Sequence, residues 1–105
     1  KIDIQRRTFA VANRTGGFSG PAIKPVAVRM VYQVAQAVQI PIVGMGGISC
    51  WEDAIEFLLA GATMVSVGTA NFYNPNVTME VVDGIEKYLL DHQISDVREL
   101  IGAVK

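Results

Sequence analysis

Three glycine-bearing stretches hold the residues best suited to gripping an anion: Gly16 to Gly20, Gly44 to Gly47, and Gly68-Thr69. Glycine lets a backbone approach a ligand closely, and free N–H groups at the start of a helix attract negative charge. The second and third stretches each end an apolar run, PIVGM or MVSV, and each leads toward a helix-like pattern. The segments PIVGMGGI and MVSVGTAN share this strand-then-glycine design, about one strand–helix unit apart. One glycine after a strand usually makes only a tight turn. Two successive strand ends of the same design favour a shared phosphate-type site, to which Thr69 can add a hydroxyl donor.

The other reactive side chains have plainer readings. Cys50, the single cysteine, falls at the first turn of an expected helix, where a lowered thiol pKa is conceivable. Most free cysteines serve packing, and that reading is preferred. His92, the lone histidine, closes the last long helix, where a cation would suit the helix dipole. Trp51 reads as a packing anchor rather than a ligand-stacking ring, and Arg6-Arg7 as a solvated hairpin tip with a substrate- or subunit-facing role as the alternative. No metal site and no catalytic residue is assigned.

The elements that must position the glycine loops follow from periodicity. Ile2 and Ile4 alternate with polar residues, and Phe9 to Ala12 forms a second extended stretch, so residues 1–12 read as a β-hairpin. Asn13 to Gly20 is a loop. A helix is expected from about Lys24, with Pro25 in its first turn. Val26, Ala27, Met30, Val31, Val34, Ala35 and Val38 then form one apolar face. Ile40 to Met45 and Thr63 to Val67 read as strands buried on both faces. Between them, Ser49 and Glu52 have the spacing of a capping box, the helix turns Ala54, Ile55, Leu58 and Leu59 inward, and Gly61 stops it. After a turn at Asn74-Pro75, a long helix carries Val81, Val82, Ile85, Tyr88 and Leu89 on one side. Asp96 and Glu99 cap a short terminal helix that ends before Gly102. Strands alternating with helices imply parallel, right-handed βαβ units.

Bulk properties narrow the function classes. The chain has 105 residues, enough for one domain, whereas a full (β/α)₈ barrel needs about 250. Nine basic against ten acidic side chains argue against nucleic-acid binding or electrostatic attachment to a membrane. The mean hydropathy of +0.33 is high for a small domain and fits buried parallel strands or surface left for a partner. Polar residues interrupt Val26 to Ile48, so it is not a membrane span, and one cysteine fits a reducing cytoplasmic setting. The sequence opens directly on a strand without the layout of a signal peptide, so a longer parent is expected.

The string TGGFSGPAIKPVAVRMVYQVAQAVQIPIVGMGGI, with the later EDAIEF, AGAT and VGTANF, resembles the dihydroorotate dehydrogenases over essentially the whole chain. Within it, GPAIKPVAVRMVYQ resembles the two-subunit, NAD-linked branch in particular. The resemblance implies an FMN-dependent oxidation of dihydroorotate to orotate in pyrimidine synthesis. It assigns Gly20, Gly46, Gly47, Gly68 and Thr69 to FMN binding, with Gly20 near the flavin and the other four at its phosphate. The family's catalytic cysteine, flavin-contacting lysine and substrate-gripping asparagines lie on segments upstream of any present here, and Cys50 does not take that role.

Residues 1–105 are therefore expected to be the C-terminal part of an FMN-binding barrel: an α/β, partial TIM (β/α)₈ barrel with a preceding β-hairpin. Its expected partners are FMN, dihydroorotate or orotate in the complete enzyme, further copies of itself, and an electron-transfer subunit. Two alternatives stand beside this reading. One is another FMN barrel oxidoreductase, of dihydropyrimidine or hydroxyacid type. The other is a non-catalytic fragment that survives by self-association.

Overall fold

The computed structural model describes residues 1–104. An antiparallel hairpin comes first, β1 (Ile2–Asp3) with β2 (Thr8–Phe9), pairing Ile2 with Phe9. Its tip is held by the Asp3 carboxylate, which accepts the N–H groups of Gln5 and Arg6 at 3.0 Å each. The loop 10–20 follows, and a 3₁₀ turn (Pro21–Ile23) runs directly into α1 (Lys24–Ala37) with Pro25 in the first turn. Next come β3 (Val43–Met45), α2 (Trp51–Ala60), β4 (Met64–Ser66), a 3₁₀ turn (Thr69–Phe72) and α3 (Val77–Asp91). A last 3₁₀ turn (Val97–Leu100) carries the expected Asp96–Glu99 capping box.

The strands β3 and β4 are parallel neighbours with α2 as their crossover, in the register Val43–Met64, Gly44–Val65 and Met45–Ser66. Both ladders are shorter than the apolar runs that contain them. Pro41 lacks the N–H a ladder needs, and Thr63 meets Ile42 partly through its side chain. The Ile42 N–H donates to Thr63 Oγ1 at 2.7 Å, and Thr63 Oγ1–H and N–H both donate to the Ile42 carbonyl at 2.9 Å.

The main core lies between α1, α2, α3 and one face of β3–β4, around the fully buried Phe57 and Val77. Gly44 is at a close approach: a Cβ there would stand 2.7 Å from the Phe57 ring, so no larger residue fits. A second cluster joins Ile55, Leu58 and Leu100, with Trp51 and Tyr88 packed against it. The terminal segment is tied to α2. The N–H groups of Gly102 and Val104 donate to the carbonyls of Leu58 and Leu59 at the helix end, Leu58 also accepting the Gly61 N–H.

Several expectations require correction. The cap of α2 is Cys50 rather than Ser49, and its side chain makes no capping bond. Asp53 reaches back instead of Glu52, accepting from the Ser49 N–H at 2.8 Å and the Ser49 hydroxyl at 2.9 Å. Shifting the helix start by one residue moves the back-reaching position from Glu52 to Asp53. Val82 points outward at 57% exposure, because the buried stripe of α3 runs through Val77, Val81 and Ile85. The strands are not buried on both faces: Val43, Met45 and Met64 are 43%, 60% and 52% exposed. On α1 only Ala27 and Val31 of the apolar face are buried, while Val26, Met30 and Val34 remain exposed. The radius of gyration is 16.6 Å, against about 13 Å for a compact domain of this length. The helices cover one side of a two-stranded sheet, and the other side is open.

Candidate anion-binding site

All five glycine-loop positions singled out from the sequence converge. Gly20, Gly46, Gly47, Gly68 and Thr69 line one cleft of about 400 Å³ at the C-terminal ends of β3 and β4. Local geometry explains how. After β3, Gly46 and Gly47 both adopt positive φ (119° and 79°), turning the chain sharply toward α2. The turn presses Gly47 against the entry to α1, where a Cβ on Gly47 would lie 2.8 Å from the Gly20 carbonyl oxygen and 3.0 Å from the Lys24 nitrogen. Gly20 and Gly47 are thus in direct contact although far apart in sequence. After β4, Gly68 leads into the 3₁₀ turn, and a Cβ there would meet nothing.

The cleft's distinguishing feature is a set of free donors. Among the described residues, the N–H groups of Gly47, Ile48, Gly68, Thr69 and Ala70 donate to no backbone or side-chain acceptor. Ile48 and Ala70 are buried residues at the floor of the cleft. Backbone N–H groups in such places are nearly always paired, with protein, water or ligand. Five unpaired donors on two adjacent loops fit a phosphate-sized anion, which offers several acceptor oxygens at once.

An ion-pair cluster that the sequence reading missed braces these loops. Lys24 Nζ donates to Asp53 Oδ1 at 2.6 Å and lies 2.7 Å from Glu56 Oε2. Burial pushes the Asp53 carboxyl up, but the Lys24 ammonium and the two Ser49 donors outweigh it and hold the group at about 2. Its two carboxylate partners push the Lys24 ammonium well above its ordinary value. The visible signal was an aspartate in the first turn of α2, but its lysine partner lies a whole strand and helix away.

The remaining reactive residues stay clear of the cleft. Burial raises the Cys50 thiol pKa, which corrects the conceivable lowering by the helix start. Trp51 packs against Tyr88, with ring centroids 6.0 Å apart, and against Gly84. His92 stacks on Tyr88 at 4.0 Å, and its Nδ1 lies 2.9 Å from the Tyr88 carbonyl oxygen. Arg6 and Arg7 are exposed at the hairpin tip. Among the described residues, no helix is long and apolar enough to cross a membrane.

Adjacent parallel strands joined by a crossover helix, with glycine loops at their C-terminal ends, place the segment in the α/β class. The chain is a member of the dihydroorotate dehydrogenase family, whose model matches residues 1–89. It is 66% identical over 105 residues to the catalytic subunit of dihydroorotate dehydrogenase B (NAD(+)) from Lachnoclostridium phytofermentans, covering all of this chain and 35% of that protein. The corresponding subunit of Alkaliphilus oremlandii is 65% identical over 101 residues, covering 96% of this chain and 33% of the relative. Ligand-free dihydroorotate dehydrogenase of Eimeria tenella superposes with a TM-score of 0.80 at 30% identity, over 98% of this chain and 30% of that one. Its ferulenol complex gives 0.79 at 28% identity, over 98% and 28%. The chain spans about a third of the length of these curated relatives.

Proposed function

We propose that residues 1–105 are the C-terminal portion of an FMN-dependent dihydroorotate dehydrogenase, and that this portion holds the FMN phosphate. The complete protein would oxidise dihydroorotate to orotate in pyrimidine synthesis, in the cytoplasm and with a partner electron-transfer subunit; its likeness to proteins named as NAD(+)-linked catalytic subunits supports that reading. The segment would supply the last βα units of a (β/α)₈ barrel. Loops after the final two strands of such barrels commonly bind phosphate. One observation carries the reading: the free N–H groups of Gly47, Ile48, Gly68, Thr69 and Ala70 on one cleft.

In this role the two loops neutralise the phosphate through backbone dipoles rather than side-chain cations, since Lys24 is already engaged by Asp53 and Glu56. Gly20 and the adjoining Phe18 line the same cleft and would bound the flavin beyond its phosphate. When bound, FMN supplies the hydride acceptor. The chain's own residues bind and orient it; none is placed to take the substrate's proton, since Cys50 is a raised-pKa thiol at a helix cap and His92 lies against Tyr88. Paired titrations with FMN and riboflavin test the reading. FMN should bind more tightly by at least about tenfold, the scale of one or two charge-assisted hydrogen bonds. Equal affinity for the two would remove the phosphate assignment.

A second reading, a self-associating fragment without catalysis, is favoured by the uncovered face of β3–β4 around Val43, Met45 and Met64. It bears on the chain as a separate molecule and leaves the phosphate cleft intact.

A further inference from the structure

Lys24 stands beside a phosphate-type cleft, where a lysine is ordinarily taken for an anion ligand. The geometry points to another role: we infer that Lys24 and Asp53 are positioning residues, a latch that holds the Gly46–Ser49 loop in its anion-receiving shape from both ends. The inference rests on the phosphate reading above.

The loop makes two kinds of contact with its supports. At its start, Gly46 and Gly47 lie against α1, where Cβ atoms added to them would fall 2.9 Å from Ala27 Cβ and 3.0 Å from Lys24 Cβ. At its end, Ser49 is gripped through both its N–H and its hydroxyl by Asp53 Oδ2. The other oxygen of that carboxylate receives the Lys24 ammonium at 2.6 Å. One residue, Lys24, therefore backs the loop's first half with its main chain and anchors the second half through Asp53. Asp53 is buried, so the bonds compete little with water. Two carboxylates on one ammonium leave the cluster with a net negative charge, which is unsuited to contacting phosphate directly. An attractive anion site can persist beside it only if the free N–H groups are held in place. Among the described residues, the side-chain hydrogen bonds that hold Ser49 at the end of the loop are the two made by Asp53.

The test compares FMN and riboflavin affinities of the complete flavin-binding protein by fluorescence titration, in the wild type, Asp53→Asn, Lys24→Met and the double variant. A loop that has lost its latch should bind FMN about tenfold more weakly while riboflavin affinity stays the same. Because both residues act through one device, the double variant should lose no more than the worse single variant. Ser49→Ala, which removes only the hydroxyl bond, should show a smaller loss in the same direction and serves if Asp53→Asn does not fold. Four results would overturn the latch: parallel losses for FMN and riboflavin, additive losses in the double variant, unchanged FMN binding, or a loss in Lys24→Met far exceeding that in Asp53→Asn. The last of these would make Lys24 a direct ligand. If the wild type itself failed to prefer FMN, the phosphate reading would fall and take the latch with it. A wild-type preference retained in the variants would remove the latch alone.

Discussion

Gly47→Ala should be far more disruptive than Gly68→Ala, although both glycines line the same cleft. At Gly47 the backbone has φ of 79°, a left-handed conformation that costs an L-residue about 1–2 kcal/mol. The new methyl would also stand 2.8 Å from the Gly20 carbonyl oxygen and 3.0 Å from the Lys24 nitrogen. Both are main-chain atoms and cannot rotate away, so the two loops must separate, and overpacking of this kind costs about 1–3 kcal/mol. Together the two effects amount to roughly 3 kcal/mol, on the order of 10 °C in Tm for a domain this small. A valine would add its branch to the same collision, so flavin retention should fall because the Gly20 and Gly46–Gly47 loops are pushed apart. At Gly68 the φ is −108° and an added Cβ meets no atom. Its replacement by alanine should leave unfolding within about 0.5 kcal/mol of wild type, as for surface changes. Urea unfolding followed by circular dichroism measures both. Matched stabilities for the two variants, or a stable Gly47→Ala, would refute the claim that Gly47 is fixed by its contact with the Gly20 loop.

Other outcomes follow from the same structure. Asp53 has its folded pKa depressed to about 2 from an ordinary 3.8, so its stabilisation is fully present above about pH 4 and is lost as pH falls toward 2. At about 1.4 kcal/mol per unit the loss is about 2 kcal/mol, and acid titration of stability in Asp53→Asn should lack that component. The raised Cys50 thiol should react with iodoacetamide more slowly than free cysteine at pH 8 and gain rate at higher pH; a faster reaction would contradict its burial-raised pKa. The chain alone, supplied with FMN, should form no orotate above a no-protein control, because it positions no base for the substrate proton. Light scattering at micromolar concentration should show a dimer or larger assembly, with the open face around Val43, Met45 and Met64 covered by another chain; Val65, on the opposite face, already packs into the core. A stable soluble monomer would show that the hairpin and helices suffice.

Local signals made most of the elements legible. The apolar spacing from Val26 to Val38 and the β-branched runs before Gly46 and Gly68 each specify one kind of element, and α1, β3 and β4 lie where they indicate. The convergence of Gly46–Gly47 with Gly68–Thr69 was legible for the same reason, since parallel neighbours bring equivalent strand ends together. Contacts between distant segments were not. Nothing local to Lys24 indicates Asp53 as its partner, and nothing local to Gly47 indicates the Gly20 carbonyl. The cap of α2 was misplaced because Ser49–Glu52 and Cys50–Asp53 have identical spacing, and only the direction of the chain leaving Gly47 decides between them. The exposure of Met45 and Met64 was half legible: their apolar character pointed to burial, but burial depends on neighbours that these residues do not themselves supply.

That distinction explains why one segment can combine a finished cleft end with an unfinished sheet. The donors after β3 and β4 depend on turns of two to four residues. They are braced by Lys24, Asp53 and the core around Phe57, to which α3 contributes Val77 and Val81. The walls nearer the open sheet face are different: Met30 and Met45 line the same cleft, yet both are largely exposed. Flexible methionines at an uncovered edge adapt to whatever packs on them. A cofactor's phosphate would therefore meet a preformed site, while its ring would meet one completed only by further chain. On the proposed function, phosphate recognition would belong to the segment and chemistry to the assembled barrel.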